Sequence, residues 1–137
     1  MRTNLARALL ALSSIVLIFG GAMHAMAFAH KATSILDAAR LPIFFVKELK
    51  VLWLADSTTL IGVGAAYAVA AIAPRLVPVP ALLLLAAIPT ATMVLLYGFL
   101  GSFYAAHLLA LASAMVLAAA ALQVPVQADR TVRAMLS

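Results

Sequence analysis

Four long apolar runs constrain the fold more than any other feature of the sequence. Hydrophobic residues make up 67% of the 137 residues and charged residues only 9%, whereas soluble domains average about half apolar and about a quarter charged residues. A helix needs roughly 20 apolar residues to cross a hydrocarbon core of about 30 Å. The runs therefore predict an all-α integral membrane protein, a four-helix transmembrane bundle in which residues 1–137 form a single domain. The expected spans are about 8–29, 51–73, 81–100 and 102–122.

The segment 30–50, between the first two runs, is too charged to span a membrane. It contains seven groups that are charged or can become charged: His30, Lys31, Asp37, Arg40, Lys47, Glu48 and Lys50. We predict a short interfacial helix between spans 1 and 2, capped by Thr33 or Ser34 and ending near Arg40. Pro42 favours the start of the next helix, because the first helical turn does not need the missing N–H group.

Prolines and glycines mark the other connections. Three prolines predict a stiff link at 74–80, and Gly98 with Gly101 predicts a tight turn between the third and fourth spans. Pro125 is expected to end the fourth span. The remaining polar tail, 123–137, is expected to lie at the cytoplasmic surface.

The first run has two interpretations. A signal peptide would end at a small-x-small site such as Ala25-Met26-Ala27. A retained span would contain about 20 apolar residues, and this run has 22. We favour the retained span because the run is longer than the apolar core of a usual signal peptide. Cleavage of residues 1–27 would leave the other spans unchanged.

The positions of Lys and Arg predict the orientation. In a four-span bundle one side carries Arg2, Arg7, Arg75, Arg130 and Arg133, and the other carries Lys31, Arg40, Lys47 and Lys50. Short basic flanks favour the cytoplasmic side. We therefore expect a multi-pass protein of the bacterial inner membrane with both termini in the cytoplasm, so that the segment 30–50 lies outside.

Several polar groups fall within the predicted spans. Asp56 is the main candidate, because an aspartate at the centre of a membrane helix costs roughly 2.5 to 3.5 kcal/mol and so usually faces a cavity or a partner. Asp56 and three groups on the other spans each lie four or five residues from an outer end: His24, Tyr97 and His107. At 1.5 Å per residue they share a level about 6 to 8 Å below the outer boundary. We predict a polar pocket in the outer leaflet, also lined by Trp53, Thr59, Phe103 and Tyr104.

Small residues recur at a spacing of four in two spans. They are Thr58, Gly62, Ala66 and Ala70 in the second, and Ser102, Ala106, Ala110, Ala114 and Ala118 in the fourth. Such ridges let helices approach closely, so the second and fourth spans are expected to be neighbours. The expected partners are the lipid bilayer and either further copies of the chain or a larger membrane complex. We expect no nucleic-acid partner, because the basic residues lie mostly at the ends of apolar runs.

Four functions are compatible with this polar cluster. It could hold the helices together, or bind a lipid, quinone or other amphiphile, and we favour an amphiphile binder or accessory subunit. A metal or haem site would use His24 and His107, with Met23 suited to copper(I). Proton-coupled transport would use Asp56, with His107 as the second relay group. The sequence has no catalytic motif and no cysteine, so we expect neither an enzyme nor, in the favoured interpretation, a cofactor.

Overall fold

The chain is built from helices. The computed structural model describes the backbone of residues 2–136 and the side chains of residues 2–123. Its elements are α1 (Arg2–Ala27), a π-helical turn (Phe28–Ala32), α2 (Thr33–Ala38), α3 (Ile43–Ile72), α4 (Val79–Leu100) and α5 (Tyr104–Leu136). The stretches long and apolar enough to cross a membrane are Arg2–Ala38, Ile43–Ile72, Val79–Leu100 and Tyr104–Gln123. The prediction of an all-helical chain with four candidate spans is confirmed, and residues 2–136 contain no strand.

The first span and the segment after it form one continuous helix. α1 passes through the π-helical turn into α2, giving 37 helical residues, which is about 55 Å at 1.5 Å per residue. The predicted caps are wrong, because Thr33 and Ser34 donate hydrogen bonds to the carbonyls of Ala29 and Lys31 in the preceding turn. A π-helical turn keeps the backbone hydrogen-bonded through the charged segment, so no new helix start is needed there.

A tight turn at 39–42 joins α2 to α3. Arg40 has a φ of 51°, the left-handed conformation that often follows the end of a helix. Pro42 is the N-cap of α3, at the place where the sequence predicted the next helix to begin. α3 then returns along α1. The result is a long antiparallel hairpin, here called the α1–α3 hairpin, which consists of α1, the π-helical turn, α2 and α3.

α1 lies between α3 and α5, and α4 packs against α5. Within the described residues α3 and α5 share no extended interface, so the prediction that the second and fourth spans are neighbours is wrong. Much of each small-residue ridge faces outward, and Gly62 on α3 and Ala114 on α5 are exposed. Both helices are rich in apolar residues on every side, so their sequences do not indicate which side packs against α1.

Two glycines let α1 and α3 approach closely. A Cβ atom added at Gly21 would lie 2.8 Å from the carbonyl oxygen of Ser57, and one added at Gly64 would lie 3.1 Å from the carbonyl oxygen of Ser14. At Gly62, two residues before Gly64 on α3, nothing lies within 4 Å of such an atom. The α1–α3 interface therefore depends on the absence of side chains at two positions, as small residues permit in membrane helices.

Side chains from all four spans form one core. The largest fully buried ones include Leu10 and Leu17 on α1, Tyr67 on α3, Leu82 on α4 and Val116 on α5. Hydrogen bonding adds to the apolar packing, since the Ser13 hydroxyl donates to the carbonyl of Ala112 on α5 at 3.1 Å. Measured interhelical hydrogen bonds of this kind average about 0.6 kcal/mol.

The α1–α3 hairpin extends past the turn between α4 and α5. The hydrogen bond from Ser13 fixes the register of the antiparallel helices α1 and α5, and it places the turn at Gly101 near the level of His24. From that level the continuous helix formed by α1, the π-helical turn and α2 extends to Ala38, about 21 Å further at 1.5 Å per residue. The end of the hairpin therefore projects beyond α4 and α5.

One predicted proline boundary is present in the structure and another is not. Pro78 is the N-cap of α4, which confirms a short link after α3, and Gly101 adopts a φ of 71° at the predicted turn. In contrast, α5 runs through Pro125 to Leu136, so the predicted helix end at Pro125 is wrong. A proline inside a helix removes one backbone hydrogen bond, but the helix can continue beyond it with a kink. Of the tail 123–137, which was expected at the surface, Gln123 is buried, and the side chains of 124–137 lie outside the described residues.

Arg7 closes the other end of the α1–α3 interface. Its Nε atom donates to the carbonyl of Ala71 at 2.7 Å, and its Nη2 atom lies 3.4 Å from the carbonyl of Ile72. These carbonyls belong to the last turn of α3, where they lack helical partners and carry the negative end of the helix dipole. In the sequence, Arg7 was evidence only for the orientation of the chain. In the structure it is also a C-terminal cap of α3.

Replacing Arg7 with glutamine is expected to lower the free energy of unfolding by about 1 kcal/mol, because the last turn of α3 loses a charged donor. Arg2→Gln is the control, since Arg2 is exposed on the same helix and the change removes the same charge. Reversible unfolding in mixed lipid and detergent micelles measures both variants. Equal stability of the two would contradict the capping role of Arg7.

Candidate functional site

The residues predicted for one pocket form separate groups. His24 and Asp56 face each other across the α1–α3 interface, with 3.6 Å between Nε2 and Oδ2. Tyr97 and His107 meet between α4 and α5, with 2.6 Å between the Tyr97 hydroxyl and His107 Nδ1. Each pair therefore lies within one antiparallel pair of helices.

Trp53 on α3 positions His24. The indole and imidazole rings stack with their centroids 4.5 Å apart and their planes 6° from parallel. The indole N–H also donates to the backbone carbonyl of His24 at 2.9 Å, and the ring of Phe28 lies 6.1 Å away. Trp53 therefore joins two helices through its ring and its N–H group, which suits a residue with an apolar body and one polar atom.

Asp56 is only partly enclosed. The 3.6 Å separation from His24 is too long for a hydrogen bond, and the two side chains are 35% and 41% exposed. The pair is an ion pair only when His24 is protonated. The hydroxyls of Thr58 and Thr59 donate to the carbonyl of Ala55 in their own helix, so Thr59 does not join Asp56 as predicted.

His107 is contacted at both ring nitrogens. Besides the Tyr97 hydroxyl at Nδ1, the Ser102 hydroxyl lies 3.2 Å from Nε2. This group connects the end of α4 to the beginning of α5 and is exposed on the surface of the bundle. The predicted lining residues Phe103 and Tyr104 pack against each other with their ring centroids 4.6 Å apart, and Tyr104 is 70% exposed.

The two histidines also lie at different depths. Ser13 and Ala112 mark one level in the antiparallel helices α1 and α5. His24 is eleven residues beyond that level on α1, whereas His107 is five residues beyond it on α5. At 1.5 Å per residue this separates the two by about 9 Å along the bundle axis. The predicted common layer is not formed.

This placement separates the residues that the metal, haem and proton-relay hypotheses need to bring together. His24 and His107 do not share a site, and Asp56 is paired with His24 rather than with His107. Met23, proposed as a copper ligand, has a side chain that is about half exposed, at 48%. Among the described residues, no three His, Asp or Glu side chains gather as metal ligands.

A groove lies next to the Trp53–His24 stack on the projecting part of the α1–α3 hairpin. Its volume is about 470 Å³, within the roughly 300 to 1,000 Å³ of small-molecule sites. The wall is almost entirely apolar and consists of Ala27, Lys31, Ala32, Ile35, Leu36, Leu49, Leu52 and Trp53. Ala27 is three residues beyond His24, so the groove begins near the level of the α4–α5 turn and continues outward.

The charges around the groove are unevenly arranged. Lys31 is the one charged residue in the wall. Asp37 is bound by Lys50 across the hairpin, with 2.9 Å between Nζ and Oδ1. Glu48 is exposed and lies outside the wall. The groove thus combines an apolar wall with one positive charge.

The sequence contains a signal for this groove that the prediction did not use. Ala32 and Leu36 are four residues apart, as are Leu49 and Trp53, so each pair lies on one side of its helix. The surrounding charges made the segment 30–50 resemble a polar surface. Only the return of α3 along α2 brings the two apolar stripes together.

No protein-family model, no curated protein and no solved structure matches the chain.

Proposed function

We propose that the protein is a small non-enzymatic protein of the bacterial inner membrane that binds an amphiphile in the groove of the α1–α3 hairpin. It acts as an amphiphile binder, or as an accessory subunit that holds such a molecule for a larger membrane complex. The observation that carries this proposal is the apolar groove of about 470 Å³ beside the stack of Trp53 on His24.

The level of the groove supports an amphiphile rather than a water-soluble ligand. The apolar part of α3 begins at about residue 51, close to the inner end of the groove. This supports a position of the groove at the membrane boundary, where an acyl or isoprenoid chain would enter from the bilayer. Burying such a chain removes apolar surface from water at roughly 25 cal/mol per Å².

The proposed orientation has both termini in the cytoplasm and the groove on the outer side. Its support is the distribution of basic residues, since Arg7 and Arg75 flank the ends of the spans opposite the turn at 39–42. Partner subunits would pack against exposed apolar side chains of the outer helices, such as Leu54 on α3 and Phe99 on α4.

The groove is tested with the fluorescence of Trp53, the only tryptophan of the chain. In nanodiscs of phosphatidylcholine, a brominated long-chain fatty acid is expected to quench Trp53 saturably, and an unlabelled fatty acid should reverse the quenching. Ala27→Phe fills the groove and should weaken binding at least about tenfold, as overpacking commonly costs 1 to 3 kcal/mol. Ala29→Phe, at an exposed position outside the wall, should bind as the wild type does.

Quenching that rises in proportion to the brominated lipid without saturation would show ordinary contact with bulk lipid. Identical quenching curves for the wild type, Ala27→Phe and Ala29→Phe would also indicate contact with bulk lipid. Either result would contradict a binding groove.

A further inference from the structure

We infer that the groove selects amphiphiles with an anionic head group, a carboxylate or a phosphate, through Lys31. This inference rests on the proposed function, and it adds the chemical class of the ligand. Lys31 is the charged residue of an otherwise apolar wall, so it is the group that distinguishes one head group from another.

The surrounding carboxylates leave Lys31 available. Among the described residues the Asp37 carboxylate is held by Lys50 at 2.9 Å, and the Asp56 carboxylate faces His24 at 3.6 Å. Glu48 is exposed on α3 and takes no part in the wall. Lys31 makes no ion pair with any of these described carboxylates, so an incoming anion would not have to displace a partner.

The position of Lys31 suits an amphiphile at the boundary. It lies one helical turn beyond Ala27 and one turn before Ile35, and it is both exposed and part of the wall. Its four-carbon stem can therefore cover apolar wall while its ammonium group reaches water. An acyl chain packed against Ala27, Leu52 and Trp53 at the inner end of the groove would leave its head group close to this ammonium group. A carboxylate or phosphate would then receive a charge-assisted hydrogen bond, which a hydroxyl head group would receive only weakly.

Two brominated probes with the same chain test the inference, a fatty acid above the pKa of its carboxyl group and the corresponding fatty alcohol. We expect wild-type protein in phosphatidylcholine nanodiscs to bind the ionised acid about fivefold more tightly, the upper range for an exposed ion pair. Lys31→Gln should abolish this preference, and Lys31→Arg should retain it. Lys47→Gln removes an exposed lysine of the same hairpin outside the wall and should also retain it.

A third brominated probe, a lysophosphatidic acid, distinguishes the two sources of negative charge. Tight binding of the fatty acid alone would identify a free carboxylate as the head group that is recognised. Tight binding of the phosphate probe as well would extend the ligand class to phospholipid head groups. Equal binding of acid and alcohol by the wild type, or a preference that survives Lys31→Gln, would overturn the inference while leaving the groove as an amphiphile site. Absence of saturable binding by every probe would instead overturn the proposed function.

Discussion

Alanine at Gly21 or Gly64 is expected to destabilise the protein by roughly 1 to 3 kcal/mol, the usual range for overpacking. The added methyl group would meet the carbonyl oxygen of Ser57 at 2.8 Å in the first case, and that of Ser14 at 3.1 Å in the second. Backbone atoms cannot rotate away as side-chain ends do, so α1 and α3 must separate. Reversible unfolding in mixed micelles measures the loss.

The chain supplies matched controls in the same two helices. Gly20 and Gly62 have nothing within 4 Å of an added Cβ atom. Gly20→Ala and Gly62→Ala should therefore be neutral or slightly stabilising, because alanine favours helix over glycine by up to about 1 kcal/mol. If all four variants showed the same stability, close approach of α1 and α3 would not limit stability.

Separation of α1 from α3 should also alter the groove. Gly21 lies one turn of α1 below His24, where the stack on Trp53 begins. Gly21→Ala is therefore expected to weaken saturable quenching of Trp53 by the brominated fatty acid, and Gly20→Ala is not. Binding that is unchanged in a destabilised Gly21→Ala protein would show that the groove tolerates movement of the helices.

Tyr67→Phe is expected to stabilise the protein by about 1 kcal/mol or more. Tyr67 is fully buried in the core, and its hydroxyl has no hydrogen-bond partner among the described residues. An unsatisfied buried polar group costs about 1 to 3 kcal/mol, and phenylalanine keeps the ring while removing that group. The same unfolding assay should show a higher midpoint for Tyr67→Phe.

Tyr104→Phe serves as its control, because the Tyr104 side chain is 70% exposed and the stability should not change. The hydroxyl of Ser113 on α5 is also buried without a partner among the described side chains, so Ser113→Ala should act in the same direction as Tyr67→Phe. A lower midpoint for Tyr67→Phe would mean that its hydroxyl makes a favourable interaction in the membrane.

The helices could be predicted from the sequence because their signals are local. Four apolar runs of suitable length predict the candidate spans, and Pro42, Pro78 and Gly101 mark boundaries that the structure confirms. The continuity of α1 with α2 was missed because Thr33 and Ser34 resemble helix caps. In the structure they bond to the preceding turn of a helix that does not stop.

The arrangement of the candidate site could be predicted only in part. The association of Asp56 with a histidine was expected, but the partner is His24 alone, since α1 separates α3 from α5. Equal distances from predicted span ends suggested one common depth. The helices in fact extend unequally beyond the apolar core, so these distances did not measure depth. The rotation of each helix about its own axis could not be predicted either, because apolar residues cover every side of α3 and α5.

The position of α1 between α3 and α5 has a consequence for the order of folding. The ribosome makes α1 before α3 and long before α5, so the side of α1 that carries Ser13 lacks its neighbouring helix during most of translation. α3 can pair with α1 as soon as the hairpin emerges, but the Ser13 hydroxyl gains its partner on Ala112 only when α5 has been made. Folding of the helical bundle is therefore completed around its earliest helix by its latest one.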